Sequence, residues 1–300
     1  MKPSFYHMHE IHSFSSLEKG PNLLVFGAIH GNEVCGPAAI RKIIPRMQKG
    51  QITLNRGSVT FVPVCNPLAY KKGKRYIEKN LNRVIAPQTA PQLYEEKLAG
   101  QLVPLIDACD WILDLHSYEA DGPAFVFQDV DNKKTETFAR CLGSYPIVTG
   151  WLDMYAAPDA SVTNGGDTVS YAHLQGKTGV VIECGQHNDP QAILVAEKAI
   201  LSAMRYLGLT AQPKKIKEWP MSQLVVKGYK VFSKRQKGRL VKKWKHLDPV
   251  KKGEVIAVYH DGTQETADHD AFIMLPNNKV SLGEEWFYLG KGNAVTARAQ

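Results

Sequence analysis

An imidazole and a carboxylate, His30 and Glu33, stand three residues apart directly after the apolar run Leu23-Leu24-Val25-Phe26-Gly27-Ala28-Ile29. The run reads as a buried strand, and at its turn into a helix groups at that spacing can converge on one point. A second apolar run, Trp111-Ile112-Leu113-Asp114-Leu115, delivers His116, and a third, Val180-Val181-Ile182, delivers Glu183. Open α/β sheets bind their ligands at such strand ends. His30, Glu33 and His116 offer two nitrogens and a carboxylate oxygen, a donor set that would hold one zinc ion per chain and leave a position for water. Zinc so held lowers the pKa of a bound water toward about 7, and Glu183 is then the candidate base that takes its proton. Each element alone has an ordinary explanation as a surface HxxE pair or a hydrogen-bonded histidine. A carboxylate closing an apolar strand is harder to dismiss, because burying it unpartnered is costly.

The elements that must position these groups follow from periodicity. From Leu23 to Leu209, strand-like runs alternate with helical patterns. The pattern predicts a helix over 34–47 interrupted toward its end by Pro45, and a strand over 59–64 followed by the turn-prone Asn66-Pro67. It also predicts a helix over 92–108 broken or kinked at Pro104, and an amphipathic helix over 192–207 with Ile193, Ala196, Ile200 and Met204 on one face. Such alternation gives a parallel-rich sheet with helices on both faces. After Pro220 the pattern changes to short strands at 224–226, 230–232, 254–259 and 271–275, with Asp261-Gly262 as a hairpin turn. Charge changes at the same place: from Lys214 onward there are 17 Lys and Arg against 9 Asp and Glu, so this segment carries the whole net excess of +8. The two shifts together divide the chain into a catalytic unit over 1–212 and a small β unit over 213–300, with 212–217 as the linker.

A hydrophobic content of 44% and a charged content of 22% are those of a soluble globular protein. No segment approaches the roughly 18 apolar residues that span a bilayer. Five scattered cysteines, without a CxxC pair, argue for reduced thiols, and the N-terminus lacks the apolar core of a secretory signal; both point to the cytoplasm. Cys35 and Cys184, near the proposed site, read as small packing residues.

Four segments, Gly27-Ala28-Ile29-His30-Gly31-Asn32-Glu33, Arg75-Tyr76-Ile77 with Asn80-Leu81-Asn82-Arg83, Asp114-Leu115-His116 and Ile182-Glu183-Cys184-Gly185, together resemble the succinylglutamate desuccinylase/aspartoacylase family, which belongs with the zinc carboxypeptidases. The resemblance runs from about Leu23 to Gln186 and is weaker beyond. It implies an α/β fold, a zinc-carboxypeptidase-like α/β/α sandwich with a mixed, largely parallel sheet, plus a small C-terminal β domain. It implies Arg75 as the cation that steadies negative charge on a carbonyl oxygen, and Asn82 and Arg83 as the clamp on a substrate carboxylate. Near the C-terminus, Trp286-Phe287-Tyr288 resembles the segment from which the family supplies a substrate-binding tyrosine, here Tyr288. Two departures stand out. His173 occupies the place, ten residues before Glu183, where aspartoacylases carry an arginine for a second carboxylate. The segment Glu183-Cys184-Gly185-Gln186-His187 differs from the Gly-Pro version of aspartoacylases, and His187 either lines the site or, the favoured reading, caps the helix that starts near Asp189-Pro190.

The leading expectation is a zinc-dependent amidohydrolase deacylating an N-acyl amino acid or similar small amine, with no membrane partner and with homo-oligomers allowed. A zinc carboxypeptidase acting on a short peptide would use the same groups. From another class, the lysine- and arginine-rich stretch 234–252 raises nucleic-acid or anionic-surface binding. No nucleic-acid-binding signature accompanies it, and exposed charge on strands also discourages aggregation.

Overall fold

The structure, a computed structural model, describes residues 9–130, 132–156, 166–211 and 222–296; the expected linker at 212–217 lies outside them. In chain order the elements are β1 (His12–Ser15), β2 (Asn22–Gly27), α1 (Cys35–Gln48), β3 (Ser58–Val62), α2 (Pro67–Lys72), α3 (Tyr94–Ala108), β4 (Trp111–Tyr118) and β5 (Phe125–Phe127). There follow α4 (Lys133–Cys141), β6 (Ile147–Thr149), α5 (Trp151–Ala156), α6 (Thr168–Leu174), β7 (Thr178–Gln186) and α7 (Pro190–Tyr206). The C-terminal strands are β8 (Ser222–Ser233), β9 (Gly238–Leu240), β10 (Pro249–Val250), β11 (Val255–Tyr259), β12 (Gln264–Thr266), β13 (Ala271–Met274) and β14 (Glu285–Thr296).

Eleven strands form one mixed sheet in the order β1-β3-β2-β4-β7-β5-β6-β8-β14-β13-β10. Its centre, β3-β2-β4-β7, is parallel. The run of β2 is apolar throughout because both faces are covered, as central parallel strands require. Leu23 and Val25 pack with α1 and α7, whereas Leu24 and Phe26 pack with α3 and α6. The result is an α/β/α sandwich. Pro45 and Pro104 do not end their helices: each lies within the last turn or so of α1 and α3, where few hydrogen bonds remain to be lost.

The C-terminal strands do not form a sheet of their own alone. β8 pairs with β6, so the main sheet continues into β14, β13 and β10, while β12-β11-β9 make a separate three-stranded sheet. The two short runs expected at 224–226 and 230–232 are one strand, β8, paired along its length with β14, whose strand character the sequence pattern did not suggest. Glycine misleads here. Gly228 and Gly290 look like turn residues but lie mid-strand, where an added Cβ would meet Met154 Cε and Val226 Cγ1 at 2.5 Å. Their job is close packing. A cluster of Phe232, Trp244, Ile256, Trp286 and Phe287 forms a core within the C-terminal region. A second cluster, including Tyr118, Phe125, Tyr155, Met274 and Tyr288, joins that region to the central sheet.

Candidate active site

Strand register brings the distant motifs together. β4 lies between β2 and β7, with Phe26 opposite Asp114 and His116 opposite Glu183. Side chains alternate along a strand, so Leu113 and Leu115 enter the α1/α7 core while Ile112 faces α3 and α6. Asp114 and His116 share the face of Ile112, and Glu183 shares that of Val181. His30 and Glu33 follow β2 in a tight turn in which the Glu33 N–H donates to the His30 carbonyl at 3.1 Å. Gly31 is obligatory in this turn, since a Cβ there would sit 2.2 Å from the carbonyl carbon of Ala69.

His30, Glu33 and His116 are all buried, and one ligand atom from each lies within 4.8 Å of the others. The Nδ1 of His30 is 2.8 Å from one Glu33 oxygen, and the Nδ1 of His116 is 2.9 Å from the other. The outward nitrogen identifies the tautomer of His30. His30 Nε2 lies 3.0 Å from Asn80 Oδ1, which already accepts the Asn82 N–H and is thereby fixed as an acceptor. His116 Nε2 lies 3.0 Å from a carboxylate oxygen of Asp114, which also accepts the Thr168 hydroxyl. His30 therefore carries its proton on Nε2 and turns its Nδ1 lone pair to Glu33. Burial lowers His116, but the Asp114 and Glu33 carboxylates on either side outweigh it and push the ring well up toward its charged form. Two such rings about one buried carboxylate mark a place for a cation, which a proton or a metal ion can supply. Metal-binding histidines are typically oriented in this way by a carbonyl or carboxylate behind them. Burial and the nearby Arg75 guanidinium hold His30 down to about 3, so protonation is disfavoured there. The residues present fit a zinc ion.

Glu183 is 8% exposed, and its Oε2 has no hydrogen-bond partner among the described residues. Burial pushes its carboxyl up to about 8, with Glu33 adding to the rise and His116 and Arg75 opposing it. A cation held by the neighbouring cluster would draw that value down toward neutrality, the range that suits a proton-transfer group. Arg75 donates to Glu33 Oε1 at 3.0 Å yet remains 45% exposed, so it stands at the cavity wall. The loop carrying Arg75 and Asn80 is held by Glu95, a fully buried carboxylate that accepts the N–H groups of Ile77, Glu78 and Lys79. Nothing in the sequence singles out Glu95, which looks like any acid in a first helical turn.

Two adjoining cavities share Arg75, Arg83, Glu183, Leu275, Glu285 and Tyr288. The outer one, about 450 Å³, also takes residues of the C-terminal region such as Asn277, Lys279 and Glu284. Lys279–Glu119 and Tyr76–Glu284 contacts link that region to the central unit at its rim. The inner one, about 110 Å³, reaches His30, His116 and Asn82. Asn82 accepts the Thr168 N–H through Oδ1. Arg83 donates to the Asn82 carbonyl at 2.8 Å and lies 3.5 Å from both Glu285 Oε1 and the Tyr155 hydroxyl. Tyr288 is buried with its hydroxyl 2.9 Å from that of Tyr155. His173 stands apart: its ring is hydrogen-bonded to the Lys177 carbonyl at 3.2 Å and lines neither cavity. His187 does not cap α7, whose cap is Asp189. Instead its Nδ1 meets the Ser117 hydroxyl at 2.8 Å, and it lines the outer cavity. The site also takes in Asp129, Trp151, Tyr155 and Glu285, which sequence reasoning misses because their spacing carries no motif.

A buried carboxylate flanked by two histidines at parallel strand ends is a donor set of the kind that holds a metal ion, and comparison with known proteins gives the family. The model of the succinylglutamate desuccinylase/aspartoacylase catalytic domain matches residues 19–207, and the chain belongs to that family. It is 26% identical to the N-alpha-acetyl-L-2,4-diaminobutyric acid deacetylase of Halomonas elongata, over 82% of this chain and 72% of that protein. It is 30% identical to a probable aspartoacylase of Nostoc sp., over 35% of this chain and 38% of that protein. Among solved structures it is similar in fold to a succinylglutamate desuccinylase/aspartoacylase from Rhodobacter sphaeroides, with a TM-score of 0.75, 16% identity, and coverage of 94% and 88% of the two chains. The ectoine utilization protein EutE of Ruegeria pomeroyi has a TM-score of 0.73 at 18% identity, with 93% and 88% covered. No helix among the described residues is long and apolar enough to cross a membrane.

Proposed function

We propose that this protein is a zinc-dependent amidohydrolase that removes the acyl group from a small N-acyl amino acid. The observation that carries the reading is the buried convergence of His30, Glu33 and His116, with His30 Nδ1 2.8 Å from one Glu33 oxygen and His116 Nδ1 2.9 Å from the other. Zinc bound by His30, Glu33 and His116 would supply Lewis acidity to the substrate carbonyl and acidify the attacking water. Glu183 accepts a proton from that water as its oxygen bonds to the acyl carbon. The same carboxyl then gives the proton to the nitrogen as the C–N bond breaks, releasing a carboxylic acid and a free amine. Arg75 faces the developing negative charge on the carbonyl oxygen, where a fixed guanidinium is worth most in a partly dry cavity. Asn82, Arg83 and Tyr288 contact the substrate, with Arg83 holding its carboxylate in exchange for Glu285. His173, hydrogen-bonded away from the cavity, contributes no second clamp. One zinc per chain, a cytoplasmic location and a functional division near residue 212 belong to the same reading.

The names of relatives, a deacetylase of an N-acetylated diamino acid and aspartoacylases, support a small N-acyl substrate. So does the narrowing of the outer cavity by the C-terminal region, which disfavours a long peptide. The nucleic-acid alternative loses support because Arg235, Lys242, Lys243 and Lys251 are each paired with an acid. The test is to load the protein with zinc and assay N-acetyl, N-succinyl and N-formyl amino acids beside short peptides. Release of a free amino acid from an N-acyl substrate supports the reading. Cleavage of peptides alone would replace it with the carboxypeptidase.

A further inference from the structure

The residues common to both cavities, where one passes into the other, are Arg75, Arg83, Glu183, Glu285, Tyr288 and Leu275. Five of them can donate or accept a hydrogen bond, and Leu275 offers only hydrocarbon. Its backbone is as unexpected as its chemistry. Directly after β13, Leu275 has a φ of +47°, a left-handed conformation that a bulky side chain rarely adopts. It also precedes Pro276, a place that favours extended backbone. Such strain persists only where the surroundings impose it.

His246 supplies part of that constraint. The Leu275 N–H donates to His246 Nδ1 at 3.1 Å. Burial holds the His246 ring down to about 3, so the ring is neutral and Nδ1 keeps the lone pair this bond needs. The ring is stacked on Phe125 at 4.1 Å between centroids and lies 5.2 Å from that of Tyr118. Its Nε2 is buried without a partner among the described residues, a cost that nothing at Nε2 offsets. The two segments are also joined through their main chains: Leu247 N–H donates to the Ile273 carbonyl at 2.8 Å, and Ile273 N–H to that of Asp248 at 3.0 Å. The Leu275 side chain packs against the cluster that contains Tyr118, Tyr155 and Tyr288. Backbone and side chain are thus both fixed at the junction.

We propose that Leu275 is a specificity-determining residue that narrows this junction against acyl groups branched beside the scissile carbonyl, and that His246 is the residue that positions it. The inference rests on the deacylase reading and deepens it. Under that reading the amide lies at the junction, because Glu183 and Arg75 line both cavities. The carboxylate, carbonyl and nitrogen of the substrate each find a polar group there. The carbon next to the carbonyl has no polar atom to offer, and a hydrocarbon wall is what can judge its size. One methyl group more or less against such a wall changes kcat/KM by about 10- to 200-fold.

The test takes the zinc-loaded protein and the N-acetyl, N-propionyl and N-isobutyryl forms of L-alanine and of L-glutamate. In the unmodified protein, kcat/KM for N-isobutyryl should fall below that for N-acetyl by at least about 10-fold on either amino acid. In Leu275→Ala that gap should shrink to about 3-fold or less; Leu275→Gly serves if the alanine variant does not fold. His246→Phe keeps a buried ring but loses the acceptor, and should shrink the gap in the same way. His246→Asn, whose Oδ1 can accept the Leu275 N–H, should restore most of it. The strain has a readout free of activity: Leu275→Gly should melt above Leu275→Ala, since both remove the side chain but only glycine takes left-handed backbone at no cost. No gap in the unmodified protein, a gap unmoved in Leu275→Ala, or a glycine variant melting below the alanine one would each overturn the proposal. A gap equal in His246→Asn and His246→Phe would remove the positioning role of His246. Hydrolysis of no N-acyl amino acid at all is a different result and would fell the deacylase reading beneath it.

Discussion

On the wall built by β2, β4 and β7, the three candidate metal donors are backed by neighbouring groups, while Glu183 Oε2 is left open among the described residues. Asn80, Asp114 and the turn around Gly31 fix His30, His116 and Glu33 before any ligand arrives. On the wall built by Phe127, Asp129, Trp151 and Tyr288, the contacts are ring against ring, with one carboxylate half engaged. The first wall has to be rigid, because bond making tolerates little misplacement. The second draws on three separate segments of the chain. The difference predicts that damage to the first wall abolishes activity, while damage to the second is read in the stability of the fold.

The largest expected effect follows removal of a donor. His116→Ala should lose most of its zinc, measured by elemental analysis of the purified protein, and its deacylase activity should drop to background. Stoichiometric zinc retained in that variant would remove His116 from the donor set. Next is Glu183→Gln, which keeps the shape but cannot take a proton. Its kcat should fall by at least about 100-fold, the scale of general-base catalysis, with zinc content unchanged. Loss of zinc together with activity would make Glu183 a ligand.

These two predictions concern residues that the amino-acid sequence marks by itself, and the reason is local. His30 and Glu33 are sequence neighbours, and His116 and Glu183 each sit where an apolar run gives way, so hydrophobic pattern and residue type mark them together. The central sheet is legible for the same reason. What the sequence hides is assembled across the chain. Asp129, just after β5, and Trp151, at the start of α5, meet only because the Trp151 N–H finds the Asp129 carboxylate. Glu95 stands 16 to 18 positions from the N–H groups it anchors, and Gly228 and Gly290 disguise long strands as turns. His187 reads as a cap because Asp189-Pro190 lies beside it in sequence. Its ring belongs instead to Ser117, 70 positions away.

A smaller effect should separate holding from chemistry within the rigid wall. Asp114→Asn leaves the three donors in place but weakens the acceptor behind His116 and also alters the bond to Thr168. Zinc affinity, read by competition with a chelator, should fall by about 10- to 100-fold. An affinity equal to that of the unmodified protein would mean that the His116 ring is held by something else.

The smallest expected effect is on stability, and it bears on the second wall. Asp129 has an ordinary carboxyl value of 3.8 when the chain is unfolded, and about 7 in the folded protein, chiefly because it is buried, with Trp151 N–H opposing and Asp167 and Asp153 adding. Below both values the group is protonated in either state and costs nothing. As pH rises between them, the unfolded chain gives up the proton while the folded chain keeps it, so the folded state loses stability; above about 7 the loss is complete. Asp129→Asn removes that titration and keeps the bond to Trp151. The melting temperature of the variant relative to the unmodified protein should therefore rise between pH 4 and pH 8, by an amount on the order of 2 °C for each ~1 kcal/mol gained. Comparing the two proteins under matched conditions cancels the titration of other groups. A difference that stays flat across the window would mean that Asp129 carries no unrelieved charge. A difference that grows as expected would show a carboxylate whose ionisation is held against the fold's own stability.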